Sequence, residues 1–523
     1  MGCRWTFYGR QEELGNLLER LRRRRWFFGT IRGRRRIGKT ALIQQALTTL
    51  REDDPAGRRT LLVQLPDSTP ADLASVFRNA IREAGLEAQL DGSPPMRDLP
   101  GVAAAVGALC SAGAIVALDE FQICHQGPLR GLPSLLQMQV DRLQDQDAAG
   151  GLILLGSVQS EMEALLDDRR APLLGRTTFD LTLGPWDLRT ILEVCRNHGA
   201  ETPERCLTLW TLFGGVPKYW RHFAEADGLD AIPAWEPWAQ QLCERLFLRS
   251  DAPLREEGDS LLGRELHRNY LAVLRVVAER RSCTHGDLRD ALPELTSTGP
   301  YLTTLAQDLR LIERQLPLFA HERQRRARYV VADPFLSAWL SVMQPACQAA
   351  RIEPSSRIAE RMLPRLSTLE GHAFERMVRE ASEEASRAGD TDFPMTDRAS
   401  GYWNRAQKGT GSVEIDVVAW NDEAQRVRFG SCKRNPERHD AKSLRAFRGH
   451  VDRFLATKEG SGFRDWHREL ALFSPQFPAA QRASLEADGW VCRALVDFRR
   501  MLLPEHRGAN GRLLASVKVE GAE

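Results

Sequence analysis

A glycine-rich segment that ends in lysine and threonine carries the clearest chemistry in this chain. It fits the P-loop pattern GxxxxGK[ST], and its residues are Gly33, Arg34, Arg35, Arg36, Ile37, Gly38, Lys39 and Thr40. The glycines let the backbone curl so that its N–H groups point at phosphates. Lys39 would neutralise the β and γ phosphates, and the Thr40 hydroxyl would hold Mg²⁺. The segment therefore predicts a binding site for a nucleoside triphosphate.

Two acidic residues further along the chain are placed to complete this chemistry. Residues 114–122 consist of an apolar run followed by Asp119 and Glu120, which predicts a buried parallel strand with its acids at the ligand-binding edge of the sheet. Asp119 would act on Mg²⁺ indirectly, and Glu120 would polarise the attacking water. A strand that merely ends in a capping acid is the alternative. A third apolar run, residues 151–155, is followed by Ser157, whose hydroxyl could sense the γ phosphate.

The elements around these residues alternate between strands and helices. Apolar runs precede a helical pattern at the P-loop and recur along the first part of the chain, at residues 26–31, 60–65, 114–118, 151–155 and 179–183. This order predicts a parallel sheet wrapped by helices, as a P-loop ATPase core over residues 1–185. Residues 186–258 read mostly helical, which is typical of a helical lid.

Residues 259–346 predict a winged helix-turn-helix. Three short helical patterns, the second and third capped by Thr284 and Ser297, precede two strand-like stretches at residues 315–320 and 328–332. The loop between the stretches is basic, with Arg323, Arg325 and Arg326. The third helix would enter the major groove of DNA, and the hairpin arginines would contact phosphate. A module that serves only protein contacts is the alternative.

The rest of the chain predicts a third core. Residues 347–366 read as a linker or a connecting helix, and a small α/β domain is expected over residues 367–523. Its helical pattern at residues 369–379 is followed by strand-like runs at residues 412–420, 426–433, 469–473 and 491–496.

Length and composition indicate several globular domains. The chain has 523 residues, 42% of them hydrophobic, and a formal net charge of +2. No stretch approaches the roughly 18 apolar residues of a membrane helix, and the N-terminus lacks the apolar segment of a signal peptide. The ten cysteines are scattered, without a CxxC pair, so neither a disulfide framework nor a zinc site is indicated. We therefore expect a cytoplasmic protein with no membrane partner.

Together, the short motifs resemble the archaeal-type ATPase family, a branch of the AAA+ class close to the origin-recognition ATPases. Besides the P-loop, the resemblance is carried by residues 8–14, 119–122, 156–157, 174–176, 214–217 and 332–336. It implies ATP and Mg²⁺ as cofactors and DNA and other copies of the chain as partners. It also implies that Arg176 is an arginine finger acting in a neighbouring subunit's site, and that Lys218 is a second γ-phosphate sensor. A surface salt bridge is the alternative for each.

Members of this family commonly carry a C-terminal domain similar to PD-(D/E)XK nucleases. Such sites hold Mg²⁺ between an acid on one strand and the acid of a Glu-x-Lys on the next. By this resemblance Glu375, Asp416 and Lys433 match the helix acid, the strand acid and the lysine. Ser431 stands where the second acid belongs, and a hydroxyl is a poor replacement for a carboxylate at Mg²⁺. Glu414 could help from the same strand face or be a solvated acid, so we expect a degenerate site.

The resulting fold prediction is an α/β chain: a P-loop AAA+ parallel sheet with a helical lid, a winged helix-turn-helix and a restriction-endonuclease-like C-terminal α/β domain. The predicted function is that of a Mg²⁺-dependent ATPase acting as an oligomeric, DNA-associated switch. One alternative is an ATP-gated DNA nuclease in defence or mobile-element biology. The other is a signalling or scaffold ATPase whose winged helix and C-terminal domain bind proteins.

Overall fold

The structure is a computed structural model that describes residues 4–54, 58–157, 159–226, 228–262, 268–321, 326–404 and 411–503, without the side chains of residues 159 and 160. The chain forms two compact units. Residues 5–186 and 216–218 make up the amino-terminal unit, and the carboxy-terminal unit contains residues 187–215 and everything described from residue 219 onward. Within the described residues, no helix is long and apolar enough to cross a membrane.

A five-stranded parallel sheet, in the order β2-β3-β4-β1-β5, forms the centre of the amino-terminal unit. Its strands are β1 (Phe27–Arg32), β2 (Thr60–Gln64), β3 (Ile115–Asp119), β4 (Gly151–Gly156) and β5 (Phe179–Thr182). The helices are α1 (Gln11–Arg22), α2 (Lys39–Asp53), α3 (Pro70–Glu83), α4 (Leu99–Ser111), α5 (Leu132–Asp145) and α6 (Gln159–Leu166). The predicted parallel sheet is therefore confirmed.

The three central strands are buried along their whole length, which explains their continuous apolar sequences. Successive residues of β4 point to opposite faces of the sheet. Leu152 and Leu154 lie in one apolar cluster, and Ile153 and Leu155 lie in another. Both faces of the sheet are thus covered by apolar side chains, and β1, β3 and β4 are buried to their ends.

The carboxy-terminal unit begins with helices and continues into a hairpin. Its first helices are α7 (Leu188–Asn197), α8 (Pro203–Phe213), α9 (Pro217–Ala224, whose first two residues belong to the amino-terminal unit), α10 (Trp235–Cys243) and α11 (Glu257–Leu262). The segment predicted as a winged helix contains α12 (Arg268–Arg280), α13 (His285–Ala291), α14 (Gly299–Thr303) and the antiparallel strands β6 (Ile312–Gln315) and β7 (Arg328–Val331).

Two details of this segment differ from the sequence prediction. The first hairpin strand was predicted at residues 315–320 but ends at Gln315. Pro317 lacks an N–H for pairing, and Phe319 has a φ of 64°, outside the strand region. The third helix begins at Gly299, after Thr298 rather than after Ser297.

Residues 347–366, predicted as a linker or a connecting helix, lie mostly in helices. After α15 (Pro334–Ala338) and α16 (Gln344–Ala349), the long helix α17 (Ser355–Ala388) runs through Pro364 and ends at Gly389, which has a φ of 77°. Ile358, Met362 and Leu366 are buried at helical spacing, so packing of this face keeps the helix continuous past the proline. Apart from residues 186 and 216–218, the segments predicted as lid, winged helix and C-terminal domain lie in one compact unit.

A second sheet closes the carboxy-terminal unit, in the order β12-β11-β10-β9-β8. Its strands are β8 (Ser400–Asn404), β9 (Val413–Asn421), β10 (Arg426–Cys432), β11 (His467–Phe473) and β12 (Val491–Arg493). The helices beside it are α18 (Ala441–Ala456), α19 (Ala479–Ala487) and α20 (Leu495–Leu502). Strands β8, β9 and β10 pair antiparallel, and β10, β11 and β12 pair parallel. Edge strand β8 was not predicted.

Candidate functional site

The P-loop lies between the end of β1 and the start of α2. Gly33 has a φ of 148° and Gly38 a φ of 92°, conformations that favour glycine. A Cβ atom on Gly33 would lie 2.6 Å from the Leu183 carbonyl oxygen, so a larger residue does not fit there. These two glycines curl the loop around the N-terminus of α2, where free N–H groups attract an anion.

Lys39, the first residue of α2, is folded over this loop. Its Nζ donates hydrogen bonds to the carbonyl oxygens of Gly33 and Arg34, both at 3.0 Å. The side chain is buried, and this burial lowers the pKa of Lys39 to about 8, although the charges of Asp119 and Glu120 raise it. The ammonium is therefore poised to exchange loop carbonyls for phosphate oxygens.

This lowered pKa predicts that nucleotide affinity falls as the pH rises above about 8. A bound polyphosphate favours the charged lysine, so above the pKa of the free site binding requires uptake of a proton. The affinity should then fall by up to about tenfold per pH unit. Titrations with ADP between about pH 7 and about pH 10 measure this dependence. In the control Lys39→Arg, whose cation does not titrate in this range, any remaining affinity should be flat. A flat profile in the unmodified protein would contradict the assignment.

The hydroxyl and the carboxylate expected around Mg²⁺ meet beside the loop. Thr40 Oγ1 donates to Asp119 Oδ2 at 2.5 Å, and Asp119 Oδ1 accepts a hydrogen bond from the Glu120 N–H at 2.8 Å. Asp119 ends β3 and is buried. Oxygen donors of this kind, with one carboxylate held by a backbone N–H, suit Mg²⁺. The residues present therefore fit the metal that the sequence predicts.

The next residue, Glu120, is hydrogen-bonded to Ser157, which directly follows β4. It adopts a left-handed backbone conformation with a φ of 58°, which is strained for a non-glycine residue. Its Oε2 accepts hydrogen bonds from Ser157 Oγ at 3.2 Å and from Gln122 Nε2. Gln122 also donates to Ser157 Oγ at 3.0 Å and accepts from the Ser157 N–H at 3.1 Å. The structure thus brings Glu120 and Ser157 together through Gln122.

Sequence reasoning assigned no role to Gln122. The available signal was an amide side chain two residues after the acid at a strand end. The role of Gln122 depends on its hydrogen bonds to Ser157, which follows β4 and is 35 residues further along the chain. A local sequence pattern does not reveal such a contact.

The two residues assigned by resemblance lie in different environments. Arg176 binds Asp141 of α5 with two nitrogens, Nε to Oδ1 at 2.6 Å and Nη2 to Oδ2 at 3.1 Å. These hydrogen bonds raise its pKa, and the finger role stays a prediction. Lys218 belongs to the same compact unit as the P-loop. Burial and the charge of Arg36, a residue of the loop, lower the pKa of Lys218.

In the carboxy-terminal unit, the residues of the predicted nuclease-like site converge. Glu375 lies on α17, Asp416 on β9, and Lys433 directly after β10; these three residues are called the carboxylate site below. Lys433 Nζ lies 3.9 Å from Asp416 Oδ2, which accepts the Cys432 N–H at 2.8 Å. Burial and the nearby Asp416 carboxylate raise the pKa of Glu375, and burial raises the pKa of Asp416.

Two cavities flank the carboxylate site. One, of about 380 Å³, is lined by Glu375 and Asp416, and another, of about 370 Å³, by Glu375 and Lys433. Ser431 is buried on β10 and contributes no charge. Glu414 forms an ion pair with Arg328 at 3.0 Å. Among the residues that the structure describes, no group of three or more His, Cys, Asp or Glu side chains is arranged to hold a metal ion.

Of the three arginines predicted to contact DNA, the structure describes only Arg326. Arg323 and Arg325 lie outside the described residues. Arg326 forms an ion pair with Glu459 at 3.1 Å, so it is already bound to a carboxylate within its own unit.

Comparison with known proteins gives distant relatives. Residues 339–444 match a family, DUF234, described as archaeal and bacterial proteins of unknown function. An uncharacterized protein of Methanocaldococcus jannaschii is 24% identical over 431 residues, which cover 82% of this chain and 87% of that protein.

Solved structures are similar over a comparable length. The Walker-type ATPase of Pyrococcus abyssi is 19% identical, covers 64% of this chain and 96% of its own, and has a TM-score of 0.47. The ORC2 protein of Aeropyrum pernix, in ADPNP and ADP complexes, is 17% identical, covers 70% of this chain and 95% of its own, and has a TM-score of 0.45.

Proposed function

We propose that this protein binds and hydrolyses ATP with Mg²⁺ and that nucleotide turnover switches a DNA-associated assembly of several copies. One observation carries the proposal: the P-loop lysine, the Thr40–Asp119 pair and the Glu120 carboxylate converge at one edge of the sheet, where β1 and β3 end on either side of β4. In an open parallel sheet this edge is where ligands bind.

Each residue has a distinct part in this proposal. When bound, MgATP supplies the transferable phosphoryl group and the metal charge that neutralises it. Lys39 and the loop N–H groups bind the phosphates, while Thr40 and Asp119 orient the metal. Glu120 polarises the attacking water and accepts its proton. Ser157 and Gln122 hold the Glu120 carboxylate in one orientation.

In this proposal two further cations, Lys218 and Arg176, act on the phosphates of the nucleotide. Lys218 adds a second cation beside the loop. Arg176 serves the site of a neighbouring copy, where its planar cation stabilises the transferring group. This role requires Arg176 to exchange its Asp141 contact for phosphate, which an ion pair at the surface permits.

The proposal is tested by measuring ATP turnover by the purified full chain with Mg²⁺ and with excess EDTA. Mg²⁺-dependent turnover is the expected result. Absence of nucleotide binding by the folded protein at about millimolar ATP, a common working concentration, would contradict it.

DNA cleavage is the second candidate function, and the convergence of Glu375, Asp416 and Lys433 favours it. Opposing it, Ser431 leaves Asp416 without a partner carboxylate on β10. The alternative that this domain binds a protein also remains, because Lys433 beside a buried acid could contact a partner protein instead of a phosphate.

Replacing Ser431 by Glu is expected to create or strongly raise Mg²⁺-dependent nicking of plasmid DNA. By strand alternation Ser431 shares a face with Lys433, so the new carboxylate would add charge for a hard cation. Ser431→Gln, of similar size but neutral, is the matched control and should stay inactive. Robust cleavage by the unmodified protein that is lost in Asp416→Ala would show that another acid completes the site.

A further inference from the structure

Residues 312–321 and 326–331, which comprise β6, β7 and the described part of their connection and are called the wing below, pack against the second sheet of their own unit. The Leu318 N–H donates to the Gly401 carbonyl oxygen of β8 at 3.0 Å. The Phe319 ring centroid lies 5.9 Å from that of Trp420 and 6.0 Å from that of Phe463. The wing therefore covers edge strand β8, whose backbone would otherwise offer unpaired groups.

Two carboxylates of the sheet domain form ion pairs with two arginines of the wing. Arg326 Nη1 lies 3.1 Å from Glu459 Oε1, and Glu459 Oε2 also accepts the Tyr402 hydroxyl at 2.5 Å. Arg328 Nη1 lies 3.0 Å from Glu414 Oε1. The arginine side chains are 29% and 32% exposed, so each pair is open to solvent and to competing anions.

Trp403 of β8 contacts both arginines. Its Nε1 donates to the Arg326 carbonyl oxygen at 3.0 Å, and the Arg328 guanidinium lies 4.7 Å from its ring centroid. Arg326, Arg328, Trp403, Glu414 and Glu459 together form a cluster, the wing latch. Its arginines are supplied by the wing, and its carboxylates and tryptophan by the second sheet and the segment after α18.

The wing also forms one wall of the cavity that contains two acids of the carboxylate site. Arg281, Arg328 and Trp403 line this cavity of about 380 Å³ together with Glu375 and Asp416. Such a volume suits a small ligand and is far too small for a DNA duplex. A duplex phosphate therefore reaches Asp416 from this side only after the wing has moved.

The surroundings of the wing are rich in cations. Arg281 lies at the end of α12 with a φ of 62°, and its buried Nε has no hydrogen-bond partner in the described part of the chain. Burial and the charge of Arg281 lower the pKa of His372 on the same cavity wall. The cavity is lined by Arg281, Arg328, Arg376 and Arg379 together with the carboxylates of Glu375, Glu414 and Asp416.

We propose that the wing latch masks a nucleic-acid-binding surface, with Glu414 and Glu459 occupying the arginines that duplex DNA phosphates would bind. Each of the two guanidinium groups can pair with its carboxylate or with a DNA phosphate, but not with both. A polyanion that releases counterions displaces weak, partly exposed ion pairs of this kind. DNA binding by the wing and closure of the cavity are then mutually exclusive. This inference rests on the DNA association in the proposed function and does not depend on the P-loop assignment.

The test compares DNA binding by the full chain with that of the double variant Glu414→Gln, Glu459→Gln. The probe is a fluorescent duplex of about 20 base pairs, titrated between about 50 and about 200 mM salt. Freeing two arginines should raise affinity about tenfold or more at the lower salt and steepen the salt dependence by up to about two units of slope. Removing Arg326 and Arg328 as well, by Gln, should return the slope to that of the unmodified protein.

The matched control is the double variant Glu353→Gln, Glu486→Gln. It changes the net charge equally and breaks two other exposed glutamate–arginine pairs of the same unit, with Arg361 and Arg482. This variant should leave the slope unchanged, and thermal melting verifies that all variants are folded. An equal gain in the control, or an unchanged slope in the latch variant, would overturn the masking.

The outcomes also separate the inference from the proposed function. If the unmodified protein binds the duplex and the latch variant binds equally, the masking is wrong and the DNA association stands. If no folded variant binds DNA at low salt, both the masking and the DNA association are wrong, whatever the ATP turnover.

Discussion

The Lys39→Ala variant is expected to lose tight nucleotide binding. Removal of this ammonium, which reaches two P-loop carbonyls at 3.0 Å, leaves phosphate charge unneutralised in a buried place. Loss of charge-assisted hydrogen bonds to two phosphates should weaken binding by about 100-fold or more. Equilibrium titration with a fluorescent ATP analogue measures the dissociation constant.

Two controls separate the charge of Lys39 from its packing. Lys39→Met keeps an unbranched apolar stem and should weaken binding as much as the alanine change. Lys442→Ala removes an exposed lysine on α18 and should leave binding unchanged. An unaltered dissociation constant in Lys39→Ala would show that this P-loop is not the nucleotide site.

The Glu120→Gln variant is expected to keep nucleotide affinity and to lose turnover by roughly 10²- to 10⁴-fold. The amide has the shape of the carboxylate and can still accept a hydrogen bond from Ser157, but it cannot take a proton from water. Binding is retained because the Lys39 and Thr40 contacts are unchanged. Steady-state phosphate release, read beside the dissociation constant, separates the two effects.

The control for this change is Glu83→Gln, which removes an exposed carboxylate at the end of α3 in the same unit. It should behave as the unmodified protein. Full turnover by Glu120→Gln would remove this residue from the chemical step and would favour the reading of Asp119 and Glu120 as plain strand-capping acids.

Local patterns were sufficient for the parts of the fold that local physics decides. The P-loop after β1 could be predicted because the spacing of its glycines and lysine is a short-range requirement. The central strands were recognisable because burial on both faces requires continuous apolar residues. The acids after β3 and the serine after β4 meet because parallel strands end at one edge of the sheet.

Long-range contacts account for what the sequence did not predict. Local patterns indicate a linker or a connecting helix at residues 347–366, and packing of Ile358, Met362 and Leu366 makes residues 355–366 part of a continuous α17. The wing was expected to be free for DNA, but Arg326 pairs with a glutamate 133 residues away. No periodicity reports such a pairing, because only the folded chain brings the two charges together.

The central claim is tested most directly by measuring bound nucleotide and Mg²⁺-dependent ATP turnover in parallel on three proteins: the unmodified chain, Lys39→Ala and Glu120→Gln. We expect the unmodified chain to bind and hydrolyse, Glu120→Gln to bind without hydrolysing, and Lys39→Ala to do neither. Equal turnover in all three preparations would place the activity outside this site and contradict the account.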